Sequence, residues 1–501
     1  MRTPAPGDAL LAVLALVFAV SLALGGPPRF LPPWTALFLL SAAAAALLWR
    51  RETRAGREPL LSRPDAALFW LCLTLYLASF RWHGGDDIPN GLLPYCLLRH
   101  GTLSFDPYRA WATRAGMVDL IRPVGGRLLS AYPIGAGVAA LPLYLIPAAF
   151  HAPPTDVFLH NLSKIAGALM TAGSVVCVRR VLVKRCSARW AAACALLYGL
   201  GTFCYSVTSQ ALYSQSLAQL GVALGLWGLV EEGAGWSALA GLGFGLSWAA
   251  REDSALFVAA AGLFVLFHER RRLPAFLAGL LPPVLLNFAY WLHYTGTLHP
   301  PYFALQAHLF TGFQLSVLAD TMLSPSRGLL LFFPAAVFGV WGAAKIFRDP
   351  RARWSWYFAG ASLAVWLLFA FRSTWTAGNS YGMRYFALAV LPLCLFAGER
   401  EREIRDSPRL RAAWTWTFAF CVLVHACGAN FRWPGYNWTI DDQLRTVWSA
   451  RMFPLLQLFV NGGPIDGTPQ PWRTLYALAL LSLVWLPAAW MRRWLAASEP
   501  S

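Results

Sequence analysis

Two neighbouring carboxylates, Asp86 and Asp87, follow an apolar run in the stretch Arg81-Trp82-His83-Gly84-Gly85-Asp86-Asp87-Ile88-Pro89-Asn90. Charge at the edge of a membrane span is costly, so each instance calls for a partner or a role. Adjacent carboxylates can bind a divalent cation such as Mg or Mn, with Asp86 as a ligand, or take a proton as general base. Their mutual repulsion favours one of them keeping its proton near neutral pH. The competing reading is a solvated turn, in which Asp is a common residue.

Arginine forms the second chemically capable group. Arg251-Glu252-Asp253 stands between two apolar runs, and Ser324-Pro325-Ser326-Arg327-Gly328 precedes a third. The stretch from Arg372 to Tyr385 bridges two more and holds Gly378-Asn379-Ser380-Tyr381-Gly382-Met383-Arg384-Tyr385. Guanidinium suits bidentate phosphate binding, so Arg251, Arg327, Arg372 and Arg384, with Glu252 and Asp253 beside them, are read together as a lipid-phosphate site. The local alternative pairs Arg251 with Glu252 or Asp253 and lets the others snorkel to ordinary phospholipid. His83, His100, His293, His299 and His308 share no metal-ligand spacing.

These residues need a scaffold, and the composition says which kind. Of 501 residues 57% are hydrophobic and 13% charged, far from the balance of a water-soluble domain. Apolar runs fall at about 9–25, 34–49, 66–80, 133–150, 157–178, 188–204, 210–230, 234–249, 253–267, 274–295, 328–347, 354–372, 383–398, 411–429 and 474–491. The reading is an all-α polytopic transmembrane helix bundle of about 13–15 spans. Run 133–150 carries Pro133, Pro142 and Pro147, so a re-entrant or kinked helix is expected there. Segments 91–99 and 108–121 are expected as short interfacial helices in a first large extracytoplasmic loop.

The formal charge of +17 comes almost wholly from arginine. The connectors Arg50–Arg63, Arg179–Arg189, His268–Arg272, Lys345–Arg353, Glu399–Arg411 and Arg492–Arg493 are therefore placed on the cytoplasmic side. Loops 81–132, 296–327 and 430–473 then face outward. No basic stripe is interleaved with stacking aromatics, which argues against a nucleic-acid partner. The nine cysteines include no CxxC pair and sit mostly in apolar runs, as small core hydrophobes do.

The Gly85-Asp86-Asp87 pair after an early span, a loop with interfacial segments, and Gly126-Arg127 and Tyr132-Pro133 leading into a proline-rich run together resemble the GT-C class of membrane glycosyltransferases. That class includes protein O-mannosyltransferases, aminoarabinose transferases acting on lipid A and arabinosyltransferases of cell-wall synthesis. The resemblance covers roughly residues 66–400. It implies a polyprenyl-phosphate-linked sugar donor, a glycan, lipid or protein acceptor, inverting transfer, and an active site at the extracytoplasmic surface of a bacterial plasma membrane. It makes Asp87 the expected base and Asp86 its orienting or metal-binding neighbour. Its motifs add Arg127, Tyr132, Ser324, Asn379 and Tyr381 to the substrate-binding candidates. The implied organisation is an N-terminal extension over 1–65, a catalytic module over 66–400, and a C-terminal transmembrane region over 401–501. A lipid-linked glycan polymerase or ligase, or a polytopic transporter, is the rival reading; a transporter is expected to carry its charges mid-span on broken helices.

Overall fold

The computed structural model describes residues 63–79, 85–114, 120–149, 156–299, 309–378, 380–430, 440–453 and 455–456. The runs 9–25, 34–49 and 474–491 lie outside these residues. The chain forms two compact units, Met1–Ser79 and Phe80–Ser501. In the first, helix α1 (Arg63–Ala78) opens with Asp65 in its first turn, where the positive end of the helix dipole favours an anion.

The second unit begins with helix α2 (Ile88–His100) and the short helix α3 (Arg109–Arg114). An antiparallel hairpin follows, β1 (Ile121–Val124) against β2 (Arg127–Ser130), with Ile121 opposite Ser130 and Val124 opposite Arg127. The hairpin is a local exception to the all-α expectation, and the helix expected over 108–121 is present at Arg109–Arg114 and has given way to the strand by Ile121. The cause is local: Gly125 and Gly126 take φ of 56° and 81°, the positive pair that a two-residue hairpin turn requires. Asp106 fixes the hairpin from below, its carboxylate accepting from the Leu128 amide at 2.9 Å and from Arg109 at 2.5 Å. Leu92, Leu93, Phe105, Ile121, Leu128 and Trp291 close a buried core beneath it.

Helix α4 (Gly135–Ala149) runs beside α2 throughout. Gly137 packs on the Asn90 carbonyl, Tyr144 on Gly91, and Arg99 donates to the Ala148 carbonyl at 3.4 Å. The long helix α5 (Asp156–Leu182) then starts beside the first turn of α2, with Leu159 against Gly91.

Next come α6 (Ala188–Leu200), α7 (Ser214–Val230), α8 (Ala234–Ala250), α9 (Ala255–His268) and α10 (Leu273–Thr295). Helix α8 is sandwiched between α7 and α10. In lipid there is little hydrophobic force between helices, so small residues that let backbones touch set the packing. A Cβ at Gly241 would stand 1.8 Å from the Phe276 carbonyl oxygen, and one at Gly279 would stand 1.9 Å from that of Ala238. Gly279→Val should therefore separate α8 from α10 and lower the melting temperature in detergent. A substitution at Gly262, where nothing stands within 4 Å, should leave it unchanged. Equal melting of both variants and parent would contradict this packing.

The remaining helices are α11 (Leu315–Leu323), α12 (Leu329–Phe332), α13 (Ala336–Ile346), α14 (Trp354–Phe369), α15 (Val390–Ala397), α16 (Glu401–Asp406), α17 (Pro408–Asn430) and α18 (Ile440–Thr446). The expected span 328–347 is broken between α12 and α13, at Pro334. Leu159–Leu182, Arg270–Thr295 and Pro408–Asn430 are long and apolar enough to cross a membrane.

Four of the arginine-rich connectors, Arg179–Arg189, His268–Arg272, Lys345–Arg353 and Glu399–Arg411, meet at one end of this unit. Arg185 makes a two-pronged pair with Glu399 at 2.7 and 3.1 Å and reaches Asp349 at 2.6 Å. Glu401 accepts from the Ser187 amide at 2.8 Å, and Arg353 meets His268 at 3.5 Å. Arg251 and Arg384 precede α9 and α15, whose other ends carry two of these connectors, and Asp86 is paired with Arg384.

Candidate active site

Asp86 precedes α2 and lies half-buried, its side chain 32% exposed. Its Oδ2 pairs with Arg384 Nη1 at 2.7 Å, and its Oδ1 accepts from the Tyr132 hydroxyl at 3.0 Å. Arg384 begins the 3-10 turn Arg384–Ala387 between α14 and α15. Its guanidinium also faces the rings of Tyr213 and Tyr385, each at 5.9 Å. Burial works against its charge, but Asp86 and the surrounding tyrosines outweigh that and hold the proton more firmly than usual.

Tyr385 organises the site. Its ring stacks on Phe369, at the end of α14, with centroids 4.6 Å apart and planes 3° from parallel. Arg251 stands 5.6 Å and Arg372 5.3 Å from the same ring, beside Arg384. Cation–π contacts of ~0.5–1 kcal/mol each at exposed sites help hold three like charges together. Two of the three are balanced in place, Arg384 by Asp86 and Arg251 by Asp253.

Arg251 also grips Asp253 with both prongs, at 2.7 and 2.5 Å, so the local pairing anticipated for it is present within the cluster. Between them, Glu252 keeps Oε1 shut from solvent with no hydrogen-bond partner among the described residues. Burial, reinforced by Asp253 and only partly offset by Arg251, pushes its carboxyl up to about 7. An unfolded glutamate titrates near 4.5. The folded state thus binds the extra proton between these values, and stability falls as pH rises from about 4.5 to about 7. The loss is at most about 3 kcal/mol. Glu252→Gln should flatten that slope and melt above the parent at pH 8. Identical pH profiles for the two proteins would show that Glu252 keeps its ordinary titration.

Other sequence candidates fall elsewhere. Arg327 is buried and spends its fork on backbone carbonyls, those of Ser380, Gly382 at 3.0 Å and Gly378 at 2.9 Å. It staples the 378–382 loop instead of presenting free donors to a phosphate. Ser324 is buried and its hydroxyl accepts from the Arg327 amide at 3.2 Å, a turn-closing role. Tyr381 is buried against α17, its hydroxyl donating to the Val424 carbonyl. Arg127 is exposed on β2 and lies over Tyr294 at 5.4 Å, with no contact to Asp86. Arg372 also donates to Thr374 at 3.0 Å. Asn379 lies outside the described residues.

The two carboxylates stand in different surroundings. Asp87 is 1% exposed, with Oδ2 accepting from His160 at 3.0 Å and Ser163 at 2.8 Å. Asp87 is thus closed to solvent, whereas about a third of the Asp86 side chain is exposed. Among the described residues no three His, Cys, Asp or Glu side chains converge as a metal site requires. The Asp86 oxygens are engaged by a tyrosine and an arginine, so this donor set does not fit a cation ligand.

Sequence reasoning missed Tyr385, Tyr213, His160 and Ser163 as site residues. Tyr385 adjoins Arg384, and His160 and Ser163 share one helix face at i, i+3, a signal that alone does not separate a site from a core.

No family model matches the chain, and no curated protein matches it. Among solved structures it is similar to ArnT from Cupriavidus metallidurans bound to undecaprenyl phosphate, at 14% identity and a TM-score of 0.46, over 86% of this chain and 76% of that one. It is also similar to the archaeal oligosaccharyltransferase AglB from Archaeoglobus fulgidus in complex with an inhibitory peptide and a dolichol-phosphate, at 12% identity and a TM-score of 0.39. That likeness spans 87% of this chain and only 56% of AglB. The Archaeoglobus fulgidus oligosaccharyltransferase in its apo form gives 12% identity and a TM-score of 0.38 over the same shares.

Proposed function

We propose that the protein is a multi-pass membrane glycosyltransferase. It moves a sugar from a polyprenyl-phosphate-linked donor to a hydroxyl of a cell-envelope glycan, lipid or protein. The observation that carries this reading is the Asp86–Arg384 pair at the edge of the Tyr385-centred arginine cluster. A proton acceptor and a phosphate-binding surface thereby share one contact. The Gly85-Asp86-Asp87 resemblance points the same way.

In the reaction the acceptor oxygen bonds to the anomeric carbon as the bond from that carbon to the phosphate oxygen breaks. The hydroxyl proton passes to Asp86 Oδ2, and the bond electrons leave with the polyprenyl phosphate. A phosphate leaving group needs cationic stabilisation more than a proton donor, which Arg384, Arg372 and Arg251 supply. An arriving phosphate competes for Arg384 and so releases Asp86 from its ion pair, while Tyr132 keeps the carboxylate aimed through Oδ1. Attack opposite the leaving group inverts the anomeric centre. Because the arginine-rich connectors mark the cytoplasmic end, Asp86 faces the extracytoplasmic side. Charges at helix ends favour this reading over a transport path.

The test is binding of undecaprenyl phosphate to the full-length protein in nanodiscs, read by thermal unfolding. At a hundred times its Kd the lipid should stabilise the protein by about 2.7 kcal/mol. Undecaprenol, which lacks the phosphate, should have a much smaller effect. Equal shifts from the two lipids, or no shift from either, would remove the phosphate site.

A further inference from the structure

Asp87 stands at the residue before α2, where an aspartate ordinarily accepts from the first amides of its own helix. Its side chain makes no such bond. The carboxylate instead turns into the interior, to His160 and Ser163 on α5. The Ser163 hydroxyl, donating to Asp87, also accepts from the Leu212 amide at 2.7 Å. The Leu212 carbonyl in turn accepts from Asn90 on α2 at 2.9 Å. Asp87, Ser163 and Asn90 are all buried, so the frame is shielded from competing water.

Its two ends reach the site from opposite directions. Asp86 is bonded to Asp87 through the backbone, and Tyr213 follows Leu212. Arg384 is held between these two, paired with Asp86 at 2.7 Å and facing the Tyr213 ring at 5.9 Å. We propose that Asp87, His160, Ser163 and Asn90 are positioning residues whose buried frame fixes Arg384 between Asp86 and Tyr213, presetting the phosphate-binding geometry. This rests on the lipid-phosphate reading of the site. Asp87 thus takes the place of a strut, and the adjacent Asp86 that of the reacting group.

The experiment uses the full chain in nanodiscs and the variants His160→Phe, His160→Asn and Ser163→Ala. Asparagine places an N–H donor near the position of the histidine Nδ1; phenylalanine keeps only the bulk. Backbone amide exchange and the Kd for undecaprenyl phosphate are measured on each. His160→Phe and Ser163→Ala should speed exchange about tenfold at residues 86–92 and at Leu212, leaving α8 and α10 unchanged. Both should weaken undecaprenyl phosphate binding about tenfold, and His160→Asn should recover most of each loss. Acceleration at Leu212 in His160→Phe is the telling result, since His160 has no hydrogen bond to it. Unchanged exchange there, unchanged affinity despite local loosening, or His160→Asn behaving as badly as His160→Phe would each overturn the proposal. Should the parent itself not bind undecaprenyl phosphate, the phosphate reading fails, while the exchange arm still judges the frame.

Discussion

Replacing Asp86 by asparagine is expected to lower glycosyl transfer by about 10²–10⁴ at unchanged membrane abundance. The amide keeps the shape and can still accept from Tyr132, but it cannot take the acceptor's proton. It also loses the ion pair that holds Arg384 at 2.7 Å. Because Asp86 is half-exposed, the folded state should tolerate the change. Asp87→Asn has a different signature: its carboxylate is buried with two donors on one oxygen, so the amide either keeps its oxygen there and leaves a buried N–H at the unpartnered Oδ1 position, or turns an N–H toward groups that already donate. Breaking such a buried arrangement costs about 1–3 kcal/mol, and its activity should fall with thermal stability. Measuring turnover per folded molecule separates the two. If Asp86→Asn kept the parent's turnover while Asp87→Asn alone lost it at full stability, the base would be Asp87 after all.

The second large effect is expected at Arg384. Arg384→Lys keeps a charge but loses the planar fork and the flat face that lies on Tyr213 and Tyr385. The affinity for undecaprenyl phosphate should fall by about 1–3 kcal/mol, roughly ten- to a hundredfold. Arg327→Lys, by contrast, should disturb folding more than affinity, because the Arg327 donors serve the carbonyls of Gly378, Ser380 and Gly382. The check is a pair of titrations with undecaprenyl phosphate alongside melting curves. An Arg384→Lys protein that binds like the parent would move the phosphate site away from Tyr385.

Much of this was legible in the chain because membrane physics writes itself in long runs and in arginine placement. Four of the six connectors grouped by arginine content do meet, tied through Arg185, Glu399 and Asp349 and through Arg353 and His268. Residue type and helix-end position also pointed to the Asp86-Asp87 pair with Arg251, Arg327, Arg372 and Arg384 as one group, of which Asp86, Arg251, Arg372 and Arg384 gather around Tyr385. The hairpin was in principle readable from Gly125-Gly126, but its strands are four residues each, too short to show alternation against an amphipathic background. Arg327 and Arg384 could not be told apart in sequence: both precede an apolar run, and only the backbone carbonyls around Arg327 reveal its task. The exchange of roles proposed for Asp86 and Asp87 rests on which one meets α5. That depends on His160 and Ser163, more than seventy residues away, a tertiary contact no local spacing encodes.

The most direct test of the central claim is transfer itself. Full-length protein in nanodiscs is supplied with undecaprenyl-phosphate-linked hexoses and pentoses and with envelope extract as acceptor, and released undecaprenyl phosphate is counted beside glycosylated product. The account predicts acceptor-dependent release of undecaprenyl phosphate matched one for one by new glycosidic product of inverted configuration, both abolished in Asp86→Asn. It would be contradicted by product formation that Asp86→Asn leaves intact.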